Sequence, residues 1–429
     1  MKIKIIKRII CIAILILVVG ISVNHTSNIL EEKESLNRYA AFFSEKQDID
    51  VFLLGSSHMR HGILPMELWG EYGISSYNLA ADGDTIAVSY WTLVNALDYK
   101  KTSVVVLDVY DFVPGYKHNP SWRQVHQQFD AFPASKNKVK TILDLFDDRE
   151  ELDENGDSIF SKRWELLCKL IGYHSRWNEL EEEDFYTKKQ FVDLSKVWRG
   201  ASCYTGLTKR NEKTYLEDDS EIEYDYVSRN YLIKIIELCK ESNIELILIN
   251  TGYDSNDEAK KFHDSVYDIA KDYGLKYIDF TKFNLIDFNT DLASTEHNTH
   301  VNFSGAIKIT NYIGKELSRL PQIENHCNDY RYQQWNDDYE LYCDAKYKML
   351  MAAKDIYSYL GLLCDDDYIV TVEIYDKELF DDCIFVDLMQ YINIETTELK
   401  EDNKIDENCR IKITVLSKRN GKNIDNRVF

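Results

Sequence analysis

Apolar positions fall into two rhythms along this chain. Short unbroken runs at 51–54 (VFLL), 103–107 (SVVVL) and 244–250 (IELILIN) have the pattern of strands buried on both faces of a parallel sheet. Residues 76–79 (SYNL) and 276–280 (KYIDF) extend the set to five. Between them the spacing turns helical at about 85–99, 226–242 and 256–273. Asp84 is placed to cap the first of these helices, and Gly274 closes the last. Pro65 opens a shorter helix after the first strand. Strands alternating with helices predict an α/β fold, a parallel sheet wrapped on both faces.

Two stretches do not fit that alternation. More than 100 residues separate the third strand from the helix at 226, too many for a loop. They hold helical patterns at 139–146 and 160–171 and an aromatic patch, GYHSRWNEL, at 172–180. The expectation is a helical insertion over about 113–225. In it His174, Arg176 and Trp177 either contact a sugar or anionic group as part of a lid, or serve the insertion's own packing and ion pairing. Past residue 320 a long helical pattern (339–362), an alternating strand (368–374), a helix (379–392) and another strand (410–416) predict a small α/β module over 321–429. It carries no catalytic constellation.

The first 25 residues form a separate element. Lys2, Lys4, Lys7 and Arg8 precede an apolar run at 9–23, and Glu31, Glu32 and Glu34 follow it. The run is short for a bilayer span but long enough if tilted, and it also fits the core of a signal sequence. No small-x-small signal or lipobox cysteine follows, so an uncleaved anchor is the favoured reading, with the body outside the cytoplasm. Residues 26–48 would then form a polar helical stalk, and 49–320 the main domain.

Charge narrows the function classes. A net charge of −22 over 429 residues, with no evident basic face, excludes a nucleic-acid partner. It also disfavours broad docking of the body on anionic lipid. None of the nine cysteines forms a CxxC or zinc-finger spacing; pairing among the eight outside the apolar run stays open.

Chemistry concentrates at two places. The first strand stops at Gly55 and is followed by Ser56-Ser57-His58; the sequence TEHNTHVNFSGA occupies 295–306, ahead of a helical run at 307–317. A serine after the first strand and a histidine before the last helix, both at strand ends of one sheet, is a nucleophile–base arrangement. Together GSSH and HVNFSGA resemble the SGNH (GDSL-like) hydrolase family over roughly residues 50–320. Within it they look most like the membrane-anchored bacterial DltD/AlgX-like branch. The resemblance implies a flavodoxin-like three-layer fold with Ser57 as nucleophile and His300 as base. Asn302 and Gly305 complete the HxNxxG spacing, and the backbone N–H groups of Ser57 and Gly83 are the oxyanion donors. It also places His58 and Asn302 near the substrate.

The chain departs from that pattern at three positions. Ser56 replaces the acid before the nucleophile, His297 stands where an aspartate is usual, and Tyr110 falls about where an oxyanion asparagine is expected. Glu296 is the expected orienter of His300, with Asp291 or a two-residue site as alternatives. Asp108 and Asp111 read as core-edge or capping residues and are given no role in the chemistry. His58, His61, His297 and His300 make two HxxH pairs, but this is not the HExxH helix and no carboxylate pair accompanies it, so neither metal nor cofactor is expected. By the resemblance, the activity is that of a serine esterase or O-acyltransferase on acyl esters of a cell-surface polysaccharide or teichoic acid. It would work beside a membrane-bound O-acyltransferase, tethered to the membrane through the N-terminal helix. The competing class is a non-enzymatic binder on the same scaffold.

Overall fold

The structure is a computed structural model that describes residues 2–112, 115–119, 121–207, 226–251, 257–282, 285–287, 290–293, 300–400 and 409–429. Residue contacts divide the chain into two units, one formed by 1–44 with 117–195 and the other by 45–116 with 196–429.

The second unit is built on five strands, β1 (Val51–Leu54), β2 (Ser76–Asn78), β3 (Val104–Asp108), β4 (Glu245–Asn250) and β5 (Lys276–Asp279). They pair in the order β2-β1-β3-β4-β5, every neighbour parallel. This is the flavodoxin-like order, with its topological switch point between β1 and β3, where ligand crevices open outside the carboxyl ends of the strands. Residues 51–54 and 104–108 are buried throughout, as the unbroken apolar runs require. All five strands lie within a residue of the predicted positions. The helix after β2 spans Ile86–Leu97, and its cap is Thr85, not Asp84: the Thr85 hydroxyl accepts from the Val88 N–H at 3.2 Å. The helix that carries the second motif begins at Phe303, earlier than its apolar spacing indicates, because Asn302 caps it.

A four-stranded sheet belongs to the same unit, formed by β6 (Tyr368–Ile374), β7 (Ile394–Leu399), β8 (Ile411–Ser417) and β9 (Asn423–Val428) in the order β7-β6-β8-β9. β6 pairs with β7 in parallel and with β8 antiparallel. The single helix expected at 339–362 is two, Gln333–Ala352 and Ile356–Leu362, because Ala353 turns extended (ψ 133°). Strands β7 and β9 went unforeseen because polar residues dominate them: IETTEL and NIDNRV have no clean apolar alternation. In this region the buried Lys346 ammonium is ringed by Glu67 (2.7 Å), Asp365 (2.5 Å) and Asp367 (2.6 Å). Burial pushes the Glu67 carboxyl up to about 8 against the pull of Lys346.

In the first unit one helix runs unbroken over Lys2–Leu30, with a stretch of mean hydropathy 2.6, apolar and long enough to cross a membrane. The segment expected to be a polar helical stalk carries a helix that is partly packed. Its helix, Glu34–Ser44, buries Tyr39 and Phe42 completely. Tyr39 Oη donates to Gln128 at 2.6 Å. The insertion supplies the partners as short helices, among them Trp122–Phe129, Lys136–Leu145 and Lys188–Trp198.

Candidate active site

At the carboxyl end of β1 the chain must turn sharply under β3. Gly55 does this at φ +139°, and a Cβ there would sit 2.8 Å from the Cβ of Asp108, so only glycine fits. Immediately afterwards the short helix Ser57–Gly62 begins, presenting Ser57 half-buried at the sheet edge.

Three contacts hold that helix. The buried Asn78 amide donates to the carbonyls of Met59 (2.9 Å) and Ile63 (3.1 Å). Arg60 pairs with Asp82 at 2.5 Å, in the turn that contains Gly83. Ser202 N donates to Arg60 O at 3.1 Å. Gly83 itself adopts φ +71° at the end of β2, the neighbour of β1 in the sheet.

His300 arrives from the other side. Its carbonyl accepts from Ala293 N at 2.9 Å, Leu292 and Val301 form an antiparallel bridge, and Asn302 N donates to Asp291 O at 2.8 Å. The result is a 2.8 Å hydrogen bond between His300 Nε2 and Ser57 Oγ, across 243 positions of sequence. A hydroxyl and an imidazole thus lie within proton-sharing distance.

Aromatic rings pack around the imidazole. His58 stacks on His300 at 4.4 Å and 14°, and Tyr110 covers the ring of His58 at 3.6 Å. His61 meets His300 edge-on at 5.8 Å, and Tyr204 stands 5.7 Å away. Burial lowers the pKa of His61 below the ordinary value, against the opposing pull of Asp82, and so favours the neutral ring; its Nδ1 shares a 3.0 Å hydrogen bond with Ser202 Oγ. Behind the site, burial pushes the Asp108 carboxyl up to about 7, although Thr251 Oγ1 and Tyr110 N donate to it. Burial also raises Asp111, to about 6. Asp108 therefore ties the ends of β3 and β4 together and takes the Tyr110 N–H, a core-edge and capping part.

The expected site residues divide into four groups. Ser57, His300 and His58 come together, with Gly83 in the turn that Asp82 links to the Ser57 helix. Asn302, expected near the substrate, instead has its side chain buried and hydrogen-bonded to the backbone. Its Oδ1 accepts from Gly305 N (3.1 Å) and its Nδ2 donates to Thr290 O (2.8 Å). Glu296 and His297 lie outside the described residues. Asp291, the alternative orienter, is engaged elsewhere: its carboxylate takes Ser304 Oγ at 2.7 Å and Lys308 Nζ at 2.6 Å.

His174, Arg176 and Trp177 belong to the first unit, apart from the residues of this site in the division of the chain. Arg176 there forms an ion pair with Asp184 (2.8 Å) and donates to the carbonyls of Leu30 and Glu31 (2.7 and 2.9 Å), while Trp177 is 70% exposed. Tyr204, Ser202 and the Arg60–Asp82 pair were missed in the sequence. The first two lie far from either motif, and an ion pair across a turn leaves no spacing signal. No potential metal-binding cluster of three or more His, Cys, Asp or Glu side chains occurs among the described residues.

No protein-family model and no curated protein matches the chain. Among solved structures it is similar to the crystal structure of a protein from Bacteroides fragilis NCTC 9343 named for acylhydrolase activity. That similarity has 11% identity and a TM-score of 0.32, over 67% of this chain and 97% of that one. The class is thus defined by the fold and the site themselves: an α/β protein with a flavodoxin-like parallel sheet and a hydrogen-bonded Ser–His pair at its switch point.

Proposed function

We propose that this chain is an extracytoplasmic, membrane-tethered serine esterase or O-acyltransferase of the SGNH type, acting on acyl esters of a cell-surface polysaccharide or teichoic acid. The observation that carries the reading is the 2.8 Å contact between His300 Nε2 and Ser57 Oγ at the mouth of the sheet. In this reaction Ser57 Oγ attacks the ester carbonyl carbon while His300 takes the hydroxyl proton. The oxyanion rests on the backbone N–H groups of Ser57 and Gly83. As the C–O bond breaks, His300 returns the proton to the departing alkoxide. Water or a sugar hydroxyl, deprotonated by His300 in turn, then attacks the acyl-serine ester and releases Ser57.

The aromatic rings of Tyr110 and Tyr204 beside the pair suit the apolar face of a sugar ring. The apolar Lys2–Leu30 helix supports the tether, and a multi-span acyltransferase is the fitting donor for the transfer direction. The departures at His297 and Tyr110 favour a second reading, an inactive binding scaffold of an envelope acylation system.

A fluorophosphonate probe on the full chain separates the two. Labelling that disappears in Ser57→Ala and falls by about 10³-fold or more in His300→Ala supports the enzyme. No labelling at any pH between 6 and 9, on folded protein, supports the scaffold.

A further inference from the structure

The first unit holds a cavity of about 700 Å³ that shares no residue with the Ser57 site. That is the size class of a small-molecule pocket, not of a packing defect. One wall is the last part of the apolar helix, including Val23 and Ser27; the facing wall includes Phe43, Phe132, Phe191 and Leu166 from the insertion and from the helix Glu34–Ser44. Val23 remains 41% exposed although apolar. The pocket therefore opens where the Lys2–Leu30 helix, if it spans a membrane, would leave the hydrocarbon and enter the headgroup layer.

The charges inside do not cancel. Glu31 is held by Lys169, and Asp130 by His126 at 2.9 Å and by Tyr173 Oη at 2.7 Å. Two lysines are left over. Lys138 is only 2% exposed and donates to the carbonyls of Phe129 (2.9 Å) and Phe132 (2.7 Å), with no carboxylate at ion-pair distance among the described residues. Lys188 lies at the rim. Burial pulls the Lys138 ammonium down to about 8, so it is still mostly charged near neutral pH; an ammonium satisfied by carbonyls alone is a costly arrangement unless an anion compensates it. The chain's overall charge of −22 repels a broad anionic surface.

We propose that the cavity binds one membrane phospholipid with a net anionic headgroup, its phosphate toward Lys138 and the start of its acyl chains along Phe43, Phe132 and Phe191. The inference rests on the membrane-tether reading above and not on the Ser57 chemistry.

The test is native mass spectrometry of the full chain in detergent micelles titrated with phosphatidylglycerol or phosphatidylcholine, together with Ala134→Trp and Lys138→Met. Ala134 lines the cavity but is exposed, so its replacement by tryptophan narrows the mouth without entering the core. One phosphatidylglycerol per wild-type chain is expected, with apparent affinity at least tenfold above phosphatidylcholine. Ala134→Trp lowers that affinity about tenfold, and Lys138→Met removes the headgroup preference. Equal lipid uptake by wild type and Ala134→Trp overturns the proposal, as does displacement of the lipid by excess inorganic phosphate, which would mark a simple anion site. Carbonate extraction of cell membranes reports the tether separately. Recovery of the chain in the soluble fraction, with lipid binding intact in micelles, would refute the anchor and leave the pocket standing.

Discussion

Ser57 and His300 meet because each is fixed by residues that perform no chemistry. Asn302 is the clearest of these, since its side chain caps the helix Phe303–Leu317 and ties down the 290–292 segment that holds the His300 backbone. Replacing it by alanine removes a cap and leaves buried carbonyls unpaired. Asn302→Ala is therefore expected to cost about 2 kcal/mol in denaturant unfolding and to slow probe labelling at Ser57 by at least tenfold. Unchanged labelling in a destabilised protein would mean that His300 is held by other contacts. At this scale the HxNxxG spacing was legible, but the role of Asn302 was not. A spacing marks a motif without saying whether its polar atoms face a ligand or the backbone.

Among the elements, the turn between β1 and the Ser57 helix carries the tightest constraint. Its conformation at Gly55 and the approach of Asp108 leave no room for a side chain. Gly55→Ala must shift either the turn or the end of β3. It is expected to destabilise by more than about 2 kcal/mol, read as a drop in unfolding temperature, and to abolish labelling even at temperatures where the variant stays folded. Retained labelling would show that the turn can relax without moving the serine.

The five parallel strands were legible because burial on both faces writes itself as unbroken apolar runs. The polar edge strands β7 and β9, and the break at Ala353, were not. An edge strand needs few apolar positions, and a helix with a continuous amphipathic pattern gives no local sign of one extended residue.

At the scale of the whole molecule, the first unit responds to pH through a buried histidine. In the first unit, burial works to lower His126, but Asp130 and Glu165 outweigh it and hold the imidazole up at about 9. A histidine raised in the folded state stabilises fully below its unfolded value near 6.5, and that contribution is lost as pH rises through about 9. The span of the shift corresponds to about 3 kcal/mol. Protection factors over 122–145, which divide out the intrinsic base-catalysed rise of exchange, should fall between pH 7 and 10, and His126→Gln should flatten that dependence; a fall unaffected by the substitution would contradict this assignment. None of this network was visible in the sequence, because His126 and Glu165 lie on separate helices of an insertion whose helical patterns alone do not fix how they pack. The packing of the 26–48 segment was hidden for a related reason: a segment polar enough to look solvated still buries Tyr39 and Phe42 when an insertion about 90 residues away supplies the other wall.

The most direct test of the Ser–His pair is a rapid-mixing experiment with p-nitrophenyl acetate and the full chain, followed by intact-mass and peptide mapping. The account predicts a burst of nitrophenolate near one equivalent per chain and an acetyl group on Ser57, with both signals lost in Ser57→Ala. A linear release with no burst and no acetylated Ser57 at any time point, from protein shown to be folded, would contradict it.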